Sequence, residues 1–205
     1  MSVNKKRIGI SGGTFDPIHN GHLIISEEIR ETHNLDKIIF VPTGKPPHKP
    51  GHMVTMPEHR FNMVKMAVST NYCFDVSRIE LDREGYIYTI DTMNFLKQQY
   101  EKETDFFFIA GSDVVWDLPK WKDPKGLFEI CDFIVATRPG FDTVQLVKEA
   151  DRLKREYNAR ITITKTPLID ISSSDIRERV QERRTIKYLV PECIEEYIKN
   201  NGLYI

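Results

Sequence analysis

"IGISGGTFDPIHNGH" runs from Ile8 to His22, and the reading of these residues decides the fold. An apolar run ends in two glycines; a loop carrying Asp16 and Pro17 follows, and then two histidines three residues apart. The apolar run predicts a strand, and the pattern beginning near Asn20 predicts a helix. A strand–turn–helix unit needs a turn and a cap. It does not need imidazoles at its mouth.

Gly12 and Gly13 fall just past the predicted strand, where missing side chains let backbone amides approach an anion closely. The helix start aims its N–H groups and positive dipole end at the same place. His19 and His22 share a helix face at this spacing, and imidazole can donate hydrogen bonds to phosphate oxygens. A capping histidine beside a core histidine would also account for the pair. A zinc pair would need a third ligand and a different spacing. With Gly12, Gly13 and Gly21 around the rings, anion binding is the stronger reading. The pattern is neither GxGxxG nor GxxxxGK[ST], so neither the dinucleotide fingerprint nor the phosphate loop of NTPases applies.

Further candidate strands are 37–42, 74–77, 106–111, 131–137 and 160–164, with the first at 7–11. Several are almost continuously apolar, as strands covered on both faces are. Candidate helices lie between and after them, at 20–33, 57–70, 89–100, 143–157, 173–182 and 191–200. This alternation predicts an α/β fold: a doubly wound parallel sheet with helices on both faces. The expectation is one domain over 1–205, with the helices of about 173–205 packed on it and Pro191 in a first helical turn. Two irregular stretches, 43–57 and 112–125, follow strands at the sheet edge where ligands bind in such folds.

Composition narrows the partners. The 205 residues carry a balanced formal charge of −1, unlike the basic excess of a general nucleic-acid binder. No apolar run approaches the roughly 20 residues of a membrane span, and the N-terminus lacks a signal-peptide pattern, so the expected location is cytoplasmic. Nothing here opposes a homo-oligomer. Cys73, Cys131 and Cys193 are widely spaced and read as buried reduced thiols.

A second anion site is readable in "ISSSDIRERV", Ile171 to Val180. Ser172 with Asp175 fits a capping box. Ser172, Ser173 and Ser174 offer hydroxyls and amides at a helix start, and Arg177 adds a guanidinium one turn in. Alone, this stretch would equally suit a capped surface helix.

Taken together, "GGTFDPIHNGH" and "ISSSDIR" resemble the two signatures of the HxGH nucleotidylyltransferase superfamily, with Ser174 where threonine is common. The resemblance implies a Rossmann-like core. It also implies that His19, His22 and Arg177 act on the ATP phosphates in nucleotidyl transfer, within an ATP site that includes Gly12, Gly13, Thr14, Phe15, Gly111, Asp113, Arg138 and Ser172–Ser174. "VPTGKPPHK", "RFNMVKMA", "YTIDTM", "FIAGSD", "LPKW" and "ATRPG" extend the likeness over almost the whole chain, to the nicotinate-nucleotide adenylyltransferase branch. That branch moves AMP from ATP to nicotinate mononucleotide, giving deamido-NAD and pyrophosphate. Sister enzymes acting on nicotinamide mononucleotide or phosphopantetheine, and a nucleotide sensor without activity, are the competing expectations.

The acceptor residues expected on this basis are Lys45, His48, Lys49, Thr89 and Trp121. The three basic residues bring positive charge to the 43–57 segment. Trp121 offers a face for a pyridine ring, and Thr89 opens a helix whose amides suit a carboxylate. Trp116 is assigned no role. No metal-ligand cluster is visible, so Mg²⁺ is expected to be held mainly by ATP phosphates and water.

Overall fold

The computed structural model describes residues 5–44, 54–101, 103–137 and 142–205. Six parallel strands form one sheet: β1 (Lys6–Gly13), β2 (Lys37–Pro42), β3 (Phe74–Val76), β4 (Thr104–Gly111), β5 (Asp132–Ala136) and β6 (Ile161–Thr164). Their order is β3-β2-β1-β4-β5-β6, so the winding reverses between β1 and β4. A doubly wound sheet binds ligands at this reversal, beyond the carboxyl ends of the strands.

The helices are α1 (Asn20–Thr32), α2 (Pro57–Val68), α3 (Thr89–Gln99), α4 (Pro124–Ile130), α5 (Thr143–Tyr157), α6 (Ser173–Gln181) and α7 (Glu192–Asn200). Alternation along the strands sorts them onto two faces. Ile8 and Ile10 of β1, with Phe106 and Phe108 of β4, bury against Met93 of α3, Phe128 of α4 and Leu146 of α5. Phe107 and Ile109, with Ile38 and Phe40 of β2, bury against Ile29 of α1, Met63 of α2, Ile176 of α6 and Ile194 of α7. Both faces are apolar, which is why these strands read as continuous apolar runs.

Three local readings change. Gly12 and Gly13 are the last residues of β1, not residues beyond it: they pair with Val41 and Pro42, and Thr43 N–H donates to Gly13 C=O at 2.8 Å. The stretch 112–125 holds two short 3₁₀ turns and, from Pro124, the start of α4, a helix the sequence reading missed. Its seven residues span too few turns for a helical period to show, and its signal is the Asp123–Pro124 cap. Pro191 is the N-cap of α7 rather than its first turn. Cys73 and Cys131 are buried and Cys193 half-buried, all three reduced. Burial raises the Cys131 thiol to about 12, which makes it a poor nucleophile.

Candidate active site

The two histidines are fixed by the way α1 begins. His19 is its N-cap, with extended backbone, and His22 is the third helical residue. His22 Nδ1 accepts the His19 backbone N–H at 3.2 Å. An imidazole thus does what a glutamate or glutamine does in a capping box. The bond needs a lone pair on Nδ1, so a neutral His22 carries its proton on Nε2. The rings of His19 and His22 stack at 3.6 Å between centroids, and Phe15 meets His22 edge-on at 5.0 Å. Gly21 makes room for this: a Cβ there would lie 3.1 Å from His19 Nδ1. The capping reading and the ligand reading of the histidines are therefore compatible, since one nitrogen of His22 caps and the other is aimed elsewhere.

Phe15 has positive φ and a buried side chain, so only its backbone is available to a nucleotide. Asp16 is also buried. Its carboxylate accepts the Thr55 N–H at 3.2 Å and the Tyr204 hydroxyl at 2.7 Å, which ties the C-terminal segment to the signature loop.

The second signature is tied to the first. Arg177 Nη1 donates to Asp16 C=O at 2.7 Å, and Ser173 Oγ donates to Pro17 C=O at 2.9 Å. Ser172 caps α6 by accepting the Asp175 N–H at 3.1 Å, and Ser174 Oγ accepts from Arg177 Nη2 at 3.3 Å. The expected capping box is only half formed, because the Asp175 carboxylate turns to Arg179 at 2.8 Å. An Arg four residues on offers a charged partner that the N-cap N–H cannot match.

A cleft of about 310 Å³ opens beside Gly12, Gly13 and Thr14, on the α3 face of the sheet. Ile10 and Phe108 form its floor; Thr89, Trp121 and the edge residue Thr43 line it. Trp121 stands edge-on to Phe108, with centroids 5.7 Å apart, which leaves indole surface toward the cleft. Thr89 is the first residue of α3, so helix-start N–H groups lie beside its hydroxyl. Thr89 and Trp121, two of the five predicted acceptor residues, thus line one pocket with the glycines that end β1.

Several lining residues escaped the sequence reading: Glu80, Tyr88, Thr92, Lys120 and Lys122. Lys120 lies within "LPKW" and Lys122 directly follows it, and adjacency to Trp121 is their only signal. Lys122 donates to Asp91 at 3.2 Å and lies 4.6 Å from the Tyr88 ring centroid; Lys120 donates to Asp117 at 2.7 Å. Glu80 carried no local signal. Burial pushes its carboxyl above the usual carboxylate range, opposed by donors on Thr92, at 2.8 Å, and on the Gly44 backbone. These two donors occupy the carboxyl and reduce its repulsion toward an anionic ligand.

Other predicted residues lie at the edge. Gly111 ends β4, and Asp113 is exposed in the 3₁₀ turn that follows; neither lines the cleft. Lys45, His48, Lys49 and Arg138 lie outside the described residues. Among the described residues, no helix is long and apolar enough to cross a membrane.

A sheet reversal carrying two linked anion signatures defines a nucleotidylyltransferase-type site. The family model described as cytidylyltransferase-like matches residues 10–179. A "Probable nicotinate-nucleotide adenylyltransferase" of Moorella thermoacetica is 47% identical over 198 residues, covering 97% of this chain and 91% of the relative. One of the same name from a Thermoanaerobacter species is 48% identical, covering 97% and 94%. The chain belongs to the nicotinate-nucleotide adenylyltransferase family of that class. Two solved structures of Plasmodium falciparum nicotinic acid mononucleotide adenylyltransferase share the fold at 22% identity and 97% coverage of both chains. Their TM-scores are 0.77 for the complex with APC and 0.78 for the complex with NaAD.

Proposed function

We propose that this protein transfers AMP from ATP to nicotinate mononucleotide, forming deamido-NAD and pyrophosphate. The observation that carries the reading is the glycine end of β1, Gly12–Gly13 with Thr14 after it. It borders the aromatic, donor-rich cleft on one side and is joined through Asp16 and Pro17 to the helix starts of α1 and α6 on the other. Family membership and the names of the relatives support the same reaction.

An oxygen of the acceptor's 5′-phosphate attacks the α-phosphorus of ATP. The bond from that phosphorus to the β-phosphate bridging oxygen breaks, and its electrons leave with pyrophosphate. The acceptor oxygen is already anionic at neutral pH, so no general base is needed. What remains is to hold two polyanions in line and to neutralise charge that builds on the phosphoryl oxygens. His22, with Nε2–H aimed away from its capping bond, and His19 stacked on it donate to the α- and β-phosphate oxygens. The start of α6, with Ser174 and Arg177, receives the outer phosphates. Asp113 is assigned to a ribose and Arg138 to the nucleotide on the family resemblance alone. Thr89 with the α3 amides, and the lysines beside Trp121, receive the acceptor, whose pyridine ring stacks on the indole; Lys45, His48 and Lys49 add charge around its phosphate.

Mg²⁺ carried on the triphosphate would supply charge neutralisation at its oxygens. Such an ion would be held mainly by phosphates and water. The cytoplasm, where ATP is plentiful, is the location this reading implies.

The test uses ATP labelled at the α-phosphorus, with nicotinate mononucleotide. Label in deamido-NAD, with one pyrophosphate per label transferred, is the expected result. Pyrophosphate release without labelled dinucleotide would overturn it.

A further inference from the structure

Arg60, in the first turn of α2, is the largest of the fully buried side chains, with 1% of its surface exposed. Among the described residues no carboxylate pairs with it. Its guanidinium instead donates to three backbone carbonyls: Thr14 at 2.7 Å, Thr55 at 2.9 Å and Gly44 at 3.2 Å. Thr14 follows the glycines that end β1. Gly44 follows Thr43, the cleft-edge residue at the end of β2. Thr55 leads into α2, and its N–H holds the Asp16 carboxylate, whose own peptide carbonyl holds Arg177.

The chemistry fits this placement. The last ladder bond between β1 and β2 runs from Thr43 to Gly13, and beyond it the two chains leave the sheet. Carbonyls buried at such a divergence need donors. A guanidinium offers five N–H groups in a rigid fork, enough to hold three separate segments at fixed spacing. Gly44 is held from its other side as well, since its N–H donates to Glu80, and a Cβ on it would stand 2.3 Å from the Glu80 carbonyl oxygen. One residue is thus gripped by a buried cation at its carbonyl and a half-buried acid at its amide. Burial opposes the charge on Arg60, and the fields of Asp16 and Glu80 offset only part of that cost.

We propose that Arg60 is a positioning residue for adenylyl transfer: lying beneath the site and out of reach of substrate, it sets the spacing between the phosphate-binding turn at Thr14 and the acceptor-side edge at Thr43–Gly44. The inference rests on the functional reading above. It goes beyond packing, because each of the three carbonyls belongs to a segment that borders the site or holds a residue that does.

The test compares Arg60→Lys and Arg60→Met with the unmodified protein, measuring kcat and both KM values together with Tm. Phe128→Leu, on the buried side of α4, serves as a destabilised control. Misplacement of reacting groups by about 1 Å costs on the order of 10²-fold in rate. Arg60→Met is therefore expected to lose at least about 10²-fold in kcat while both KM values change by less than roughly threefold. Arg60→Lys, which keeps the charge without the fork, should recover part of that loss. Phe128→Leu should keep its kcat at a comparable loss of Tm. Unchanged kcat in either folded Arg60 variant would overturn the proposal, as would kcat losses equal to the control's. Failure of both variants to fold would assign Arg60 to the fold and overturn it too. No deamido-NAD from the unmodified protein would remove the functional reading and this inference together; normal turnover in parent and variants would remove the inference alone.

Discussion

At the scale of single residues, substitution can separate the two duties proposed for His22. Nδ1 caps α1, and Nε2 is the atom proposed to donate to phosphate. His22→Ala loses both, and His22→Gln keeps an oxygen able to accept the His19 N–H, as in a capping box. His22→Gln should therefore match the parent in Tm while kcat falls on the order of 10²-fold, as expected for loss of a donor to transition-state charge. Normal turnover in His22→Gln would confine the residue to capping. Glu80 offers a second test at this scale. Burial raises its folded-state pKa, so the folded chain holds the proton more tightly than the unfolded chain does. The resulting stability is complete below the ordinary carboxylate range and is lost as pH rises through the raised value. Glu80→Gln, neutral throughout, escapes that loss. The Tm of Glu80→Gln minus that of the parent should grow between about pH 4 and pH 8. A difference flat with pH would mean that Glu80 titrates no differently in the folded chain.

At the scale of elements, the structure joins two helix starts that lie over 150 residues apart in the chain. Arg177 and Ser173 of α6 hold the carbonyls of Asp16 and Pro17, just ahead of α1. Arg177→Ala removes one of these ties as well as a cation. Its effect should fall chiefly on ATP, with KM for ATP rising well above any change for the acceptor. Lysine should rescue partly, because it lacks the planar fork. Equal losses for both substrates, measured by varying each at saturation of the other, would mark Arg177 as a strut for the signature loop. The helix starts themselves were readable from sequence, since glycines, serines and caps leave local marks. The bonds between them were not, because a hydrogen bond from Arg177 to a backbone carbonyl carries no trace in residue type at position 16. The same holds for Arg60, whose three acceptors are carbonyls, and for Glu80, which enters the cleft only through the path of a loop. The extent of β1 was misread for a related reason: glycine is a weak strand former, and its pairing with β2 is decided by the neighbouring strand.

At the scale of the whole molecule, the sheet keeps two tasks on two faces. The helices α1 and α6, with the phosphate signatures, pack on one face, and α3 with Trp121 borders the cleft on the other. The glycines at the end of β1 border both. That the sheet is parallel and doubly wound was legible from the continuous apolar strands and the rhythm of helices. That Thr89 and Trp121 share one cleft with Gly12–Thr14 followed only from the strand order. This arrangement makes acceptor choice the central claim. The cleft presents donors: the α3 amides, the Thr89 hydroxyl and the ammonium groups of Lys120 and Lys122. A nicotinate carboxylate can accept from such donors, whereas the amide group of nicotinamide would bring its own N–H donors to meet them. A mispaired buried polar group costs about 1–3 kcal/mol, and more where charge is lost. The most direct measurement is kcat/KM with ATP for nicotinate mononucleotide, nicotinamide mononucleotide and phosphopantetheine, compared side by side. A preference for nicotinate mononucleotide of at least about 10²-fold is predicted, and comparable values for the two mononucleotides would contradict it.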